Sequence, residues 1–69
     1  MILKVNGEAK TIAEEQPSVM KLLFLCNVES PELVSVQLNG KFVGKDHYAT
    51  SQLHDNDEVD FLYFLGGGR

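Results

Sequence analysis

The stretch EVDFLYFLGGGR, residues 58–69, decides the fold. Residues 58–65 are rich in β-branched and aromatic side chains, a composition that is typical of a strand. Their apolar character is nearly continuous, so we expect a central strand that is buried on both faces. Gly66, Gly67 and Gly68 follow directly. Because glycine carries the largest backbone entropy, we predict a folded domain over residues 1–65 and a flexible tail over residues 66–69.

Two Asn-Gly dipeptides predict tight hairpins earlier in the chain. Asn6-Gly7 and Asn39-Gly40 each offer two positions that accept positive φ at low cost, as a two-residue hairpin turn requires. The segments on either side of them have the composition of short strands. The predicted strands cover residues 1–6, 8–12, 33–38 and 41–43.

One helix is predicted between the two hairpins. Ser18 is suited to cap its first turn. Val19, Leu22, Leu23 and Cys26 follow at the spacing of one apolar helix face. With a single helix available, the compact arrangement is a mixed sheet of four to five strands packed against it. The sequence therefore predicts an α+β fold, with the first and last strands adjacent at the centre of the sheet.

The side chains give little support for an enzyme or a metal site. The acidic and histidine residues of the second half lack the short fixed spacing of zinc ligands, and residues 54–57 have the composition of a tight turn. These residues are Asp46, His47, His54, Asp55 and Asp57. Cys26 lies on the apolar face of the predicted helix, where a thiol stays protonated and unreactive. We therefore predict no catalytic or metal-binding residues.

Composition narrows the partners and the compartment. Six Lys and Arg against ten Asp and Glu give 69 residues a net charge of −4. An acidic domain lacks the basic surface that nucleic acid or anionic lipid would attract. A single cysteine is typical of a reducing compartment, and neither a signal peptide nor a membrane helix is visible. We expect a soluble cytoplasmic domain that is a monomer when free.

The glycine end is the unusual feature of the sequence. A segment without side chains is suited to thread as extended backbone into a narrow site of another protein, where its terminal carboxylate would be the reactive group. The simpler interpretation is a floppy terminus, because glycine alone is weak evidence of function.

The chain resembles a known family in its second half and its end. The shared features are Asn39-Gly40, Val43, Leu53, the turn Asp55-Asn56-Asp57, Val59 and the glycine tail. Together they resemble the ThiS-type sulfur carriers of thiamine biosynthesis, which are small ubiquitin-like proteins. Two positions differ from the family pattern: Asn56 stands where the turn has glycine, and Arg69 lies beyond Gly67-Gly68.

The resemblance implies a ubiquitin-like β-grasp fold and the role of a carrier, not of an enzyme. An E1-like adenylyltransferase of the ThiF type would use ATP and magnesium to adenylate the Gly68 carboxylate, and the carrier itself would bind no cofactor. A cysteine desulfurase or another persulfide donor would then convert Gly68 to a thiocarboxylate. A thiazole synthase of the ThiG type would receive the sulfur.

Three alternatives remain open at this point. The small subunit of molybdopterin synthase shares the fold and the tail, although that family is generally longer. A ubiquitin-like interaction module that carries no sulfur is also compatible with the sequence. A small enzyme that uses His47 or His54 is disfavoured, because no acid–base constellation accompanies either histidine.

Partner docking is expected on exposed apolar side chains near the tail. Phe42, Leu62 and Phe64 are the candidates on the open face of the sheet, with Asp60 as an acidic neighbour. Met20, Phe24 and Leu25 exceed what one buried helix face needs, so they form a second candidate surface.

Arg69 predicts a processing step. While Arg69 is attached, the Gly68 carbonyl is part of an amide, which cannot be adenylated as a carboxylate is. We therefore predict that a chain ending at Arg69 is a precursor that a carboxypeptidase-like activity trims to Gly68.

Overall fold

The computed structural model describes residues 1–63. Phe64, the predicted domain boundary at residue 65 and the tail residues Gly66, Gly67 and Gly68 lie outside the described residues. The elements are strands β1 (Ile2–Val5) and β2 (Glu8–Thr11), helix α1 (Val19–Leu25), and strands β3 (Val34–Leu38), β4 (Lys41–Val43) and β5 (Glu58–Tyr63). Two short 3₁₀ turns cover Pro31–Leu33 and Lys45–His47.

The five strands form one mixed sheet in the order β2-β1-β5-β3-β4. β1 pairs parallel to β5, and the other three neighbouring pairs are antiparallel. β1 and β5 therefore lie side by side in the interior of the sheet, with α1 packed over one face. This arrangement confirms the predicted α+β architecture.

Both predicted hairpins form with the expected backbone. The φ angles are 51° at Asn6 and 85° at Gly7 in the first turn, and 52° at Asn39 and 85° at Gly40 in the second. Positive φ at both central residues is the geometry that matches the right-handed twist of the flanking strands. The two hairpins therefore follow from local turn chemistry.

Capping at both ends sets the length of α1. The Ser18 hydroxyl accepts a hydrogen bond from the backbone N–H of Lys21 at 3.0 Å. At the other end Asn27 has φ 61° and Val28 N–H donates to the Leu23 carbonyl at 3.0 Å, which is a Schellman termination. Cys26 is therefore the last residue before the reversal, partly buried against the core.

The core lies between α1 and one face of the sheet. Its members are Leu3, Val5, Ile12, Val19, Leu22, Leu23, Val34, Val36, Tyr48, Leu53, Val59 and Phe61. Within β5, Val59 and Phe61 are buried, whereas Asp60 is half-buried and Leu62 is exposed. The expectation that β5 is buried on both faces is therefore wrong for its described residues, because the only α-helix among residues 1–63 covers one face of the sheet.

Tyr48 joins the irregular segment to the sheet. Its hydroxyl donates a hydrogen bond to the Val34 carbonyl at 2.6 Å, and the ring is almost fully buried. β4 ends at Val43, so the phenol supplies a partner to a strand edge that no backbone covers there. The predicted tight turn also forms, since Asp57 N–H donates to the His54 carbonyl at 3.1 Å and Asn56 has φ 71°.

No helix among residues 1–63 combines the length and the apolar character needed to cross a membrane.

Candidate functional site

The open face of the sheet brings together three of the predicted docking residues. Phe42 on β4 is opposite Gln37 on β3, and Gln37 is in turn opposite Asp60 on β5. Leu62 is two residues further along β5, opposite Ser35. Phe42 is 67% exposed and Leu62 is 42% exposed. We call Phe42, Asp60 and Leu62, with the polar Gln37 and Ser35 between them, the open-face patch.

The open-face patch lies near the end of the strand that leads into the glycine tail. Leu62 is the penultimate described residue of β5. Phe64, the fourth predicted docking residue, lies outside the described residues, as do Gly66, Gly67 and Gly68. Large apolar side chains that stay exposed close to a functional segment are characteristic of partner surfaces.

The surplus apolar residues of α1 lie on the other layer of the molecule. Met20, Phe24 and Leu25 are exposed, and Phe24 reaches 71% exposure. The Lys21 ammonium lies 5.4 Å from the centre of the Phe24 ring, within range of a cation–π interaction. One flat partner cannot cover both the helix layer and the open face, so the two surfaces are separate candidates.

Asn6 fixes β5 at Val59 and Phe61, a role that the Asn-Gly pattern did not predict. Its N–H donates to the Val59 carbonyl at 2.9 Å, and its Oδ1 accepts from Phe61 N–H at 2.8 Å. The Asn-Gly signal predicted the turn, but it contained no information about a bond between residues 55 positions apart. Asn6 therefore both turns the chain and holds β5 at Val59 and Phe61, on the edge that faces β1.

Asn39 does the same at the amino-terminal end of β5. Its N–H donates to the Glu58 carbonyl at 2.7 Å, and its Oδ1 accepts from Glu58 N–H at 2.9 Å. Its Nδ2 donates to Asp57 Oδ1 at 3.1 Å. Side chains of the two hairpin turns thus anchor the strand that leads into the tail from both of its neighbours.

Tyr63 departs from the expectation that the strand over residues 58–65 is buried on both faces. It alternates with Val59 and Phe61, so it lies on the helix-facing side of the sheet, where an apolar residue is usually buried. The side chain is 54% exposed, because α1 ends before it can cover this position. Tyr63 instead lines a groove with Val5, Lys10, Leu25 and Phe61.

Four of the five titratable side chains considered for chemistry form two separate pairs, in which Asp57 is largely covered and the other three are exposed, whereas Asp55 accepts a hydrogen bond from Ile2 N–H. His47 Nε2 lies 3.9 Å from Asp46 Oδ2, and His54 Nδ1 lies 3.8 Å from Asp57 Oδ2. Residues 1–63 contain no group of three or more His, Cys, Asp or Glu placed to hold a metal ion. Burial raises the pKa of the Cys26 thiol, so it stays protonated at neutral pH.

Sequence comparisons with known proteins all indicate the same family. The model of the ThiS family matches residues 3–68. The sulfur carrier protein ThiS of Bacillus subtilis (strain 168) is 28% identical over 97% of this chain and 100% of that protein.

Solved structures agree with the sequence comparisons. The crystal structure of the thiamine biosynthesis protein ThiS from Geobacter metallireducens is 39% identical, with a TM-score of 0.87 over 99% of this chain and 100% of that chain. A solution structure of a thiamine biosynthesis protein from the same organism is 38% identical, with a TM-score of 0.83 over 100% of this chain and 90% of that one. The predicted ubiquitin-like β-grasp fold is therefore confirmed. Since the family match spans nearly the whole chain, the chain belongs to the ThiS family.

Proposed function

We propose that this protein is the sulfur carrier of thiamine biosynthesis, a substrate of its partner enzymes that performs no catalysis itself. The observation that carries the proposal is continuity between the open-face patch and the tail: β5 contributes Asp60 and Leu62 to the patch, and the chain reaches Gly67 only four residues after Tyr63. Family membership and the name of the Bacillus relative favour the thiamine pathway over molybdopterin synthase.

The reaction proposed for the tail starts from the Gly68 carboxylate, which is a poor electrophile until it is activated. A carboxylate oxygen of Gly68 attacks the α-phosphorus of ATP, pyrophosphate leaves, and an acyl adenylate forms. The sulfur of a protein persulfide then attacks the acyl carbon, and AMP leaves with the electron pair of the broken C–O bond. A second thiol cleaves the resulting S–S bond, becomes part of a disulfide, and leaves the thiocarboxylate on Gly68.

Partner enzymes would bind the ATP, supply the persulfide and accept the sulfur. An activating enzyme of the ThiF type would bind the ATP and magnesium, and this chain would contribute the carboxylate that is adenylated. A cysteine desulfurase would supply the persulfide, and a thiazole synthase of the ThiG type would accept the sulfur. We propose the cytoplasm as the compartment of the carrier, because the proposed reactions depend on ATP and reduced thiols.

The open-face patch is the proposed docking surface for the activating enzyme. Phe42 and Leu62 offer apolar area that the fold leaves exposed, and Asp60 offers a carboxylate two residues before Leu62 on the same strand. An acidic carrier with a net charge of −4 is suited to a basic surface around the enzyme's apolar contact. Phe64 is proposed to extend this surface toward the tail.

ATP–pyrophosphate exchange tests the proposal. A chain that ends at Gly68 should stimulate exchange by the purified activating enzyme, because its carboxylate forms the acyl adenylate reversibly. The control is a chain that ends at Gly66, which keeps the whole described domain and should give only background exchange. A pure interaction module would bind the enzyme and give no exchange with either chain, and that outcome would exclude the carrier role.

A further inference from the structure

β5 is longer than the segment of β1 that pairs with it. β3 pairs with β5 from Val59 to Tyr63, so that side of the strand is covered to its end. β1 pairs with β5 only through Lys4↔Glu58 and Val5↔Val59 before the chain reverses at Asn6-Gly7. The last residues of β5 therefore have one edge in the sheet and one edge beside a gap.

Asn6 occupies only the part of this gap that lies beside Val59 and Phe61. It bonds the Val59 carbonyl and Phe61 N–H. Because successive residues of a strand direct their N–H and C=O groups to opposite sides, the Phe61 carbonyl and Tyr63 N–H point into the same gap. Among residues 1–63 neither group has a hydrogen-bond partner. An edge of this kind is a template for one more strand.

A groove beside this edge can take the side chains of an added strand. Tyr63, and Leu25 at the end of α1, contribute exposed apolar surface, and Val5 and Phe61 are nearly buried at the base of the groove. Lys10 of β2 lines the other side. Alternate side chains of an extended segment at this edge would point toward the groove, so the site accepts backbone and side chains together.

The sequence that follows indicates what kind of segment fits. Gly66, Gly67 and Gly68 have no side chains, so a partner can recognise them only through their backbone. Strand addition recognises backbone in this way. We propose that an extended strand of the activating enzyme pairs with the free edge of β5, an inference that rests on the proposed function. The first carbonyl of the enzyme's strand accepts a hydrogen bond from Tyr63 N–H, and the first N–H of that strand donates to the Phe61 carbonyl. This pairing directs the tail along the enzyme's strand.

Hydrogen exchange of individual amides tests the proposed pairing. In the free protein Tyr63 N–H should exchange rapidly, whereas Leu62 N–H, which faces β3, should exchange slowly. At saturating activating enzyme the exchange of Tyr63 N–H should slow by about tenfold or more. If Tyr63 N–H still exchanges rapidly while the enzyme catalyses pyrophosphate exchange on the same chain, strand addition is wrong and the carrier role stands. Absence of pyrophosphate exchange from a chain ending at Gly68 would instead contradict the proposed function.

Chemical synthesis of this short chain gives an independent test. An ester in place of the Tyr63 amide removes the donor and should raise the half-saturating concentration in pyrophosphate exchange by roughly threefold to tenfold. The matched control is an ester at Ala9, whose N–H faces outward from β2 because the neighbouring Glu8 and Lys10 carry the bonds to β1. The Ala9 ester should leave the half-saturating concentration unchanged. If the Ala9 ester raised the half-saturating concentration and the Tyr63 ester did not, the docking edge would be β2 and the proposal would be wrong.

Discussion

Replacement of Phe42 by alanine should separate docking from folding. Phe42 is 67% exposed, so about 130 Å² of a phenylalanine's roughly 200 Å² is available for a partner to cover. At about 25 cal/mol per Å², and with the part that alanine retains subtracted, the loss of binding free energy is about 2 kcal/mol. That loss corresponds to a roughly thirtyfold higher dissociation constant for the activating enzyme. Because the ring is outside the core, the free energy of unfolding should fall by less than about 1 kcal/mol.

Phe24→Ala is the matched control for Phe42→Ala. The residue type is the same and the exposure is similar at 71%, but Phe24 lies on the helix layer. Titration calorimetry with the activating enzyme should give a dissociation constant within about twofold of the unchanged protein, since rings outside a contact contribute little. Urea unfolding of both variants checks that the fold is intact. Equal weakening by the two substitutions, or none by Phe42→Ala, would refute docking through the open-face patch.

Three further predictions concern the tail, a buried hydrogen bond and a turn. Removal of Arg69 should switch on pyrophosphate exchange, because only then does Gly68 carry a free carboxylate; equal exchange with and without Arg69 would contradict the precursor hypothesis. Tyr48→Phe should lower the free energy of unfolding by about 1–3 kcal/mol in urea titrations, since it leaves a buried carbonyl without its donor. Burial raises the pKa of Tyr48, so the stability contributed by its protonated hydroxyl is complete below about pH 10 and decreases above it. The difference in the free energy of unfolding between the unchanged protein and Tyr48→Phe should therefore become smaller as the pH rises further. Asn39→Gly keeps the turn but removes the side-chain bonds to β5, and should cost about 1 kcal/mol; Asn39→Ala should cost more, because alanine also resists the φ of 52°.

Local chemistry explains why the sequence predicts so much of this fold. The Asn-Gly turns, the Ser18 cap and the apolar spacing of α1 each act within a few residues, so their effects can be seen without the tertiary structure. The central position of β5 is predicted by the apolar composition of residues 58–65, six of which are apolar. The family motifs at Asn39-Gly40 and residues 55–57 coincide with real turns.

Features that depend on distant parts of the chain could not be predicted in the same way. Whether β5 is buried on one face or two depends on what packs against the second face of the sheet, and among residues 1–63 the only α-helix covers the first face. The exposure of Tyr63 on the helix-facing side depends instead on where the end of α1 lies over the sheet. The bond from Asn6 to Phe61 N–H requires the register of β1 beside β5, which no local pattern determines.

Intact mass spectrometry of the tail tests the carrier role most directly. A chain ending at Gly68 is incubated with the activating enzyme, ATP, magnesium and a cysteine desulfurase supplied with cysteine. We expect one oxygen of the protein to be replaced by sulfur, fragmentation to place this sulfur on Gly68, and thiazole synthase with its substrates to restore the carboxylate. An unchanged mass, under conditions in which the same enzymes load the ThiS protein of Bacillus subtilis, would contradict it.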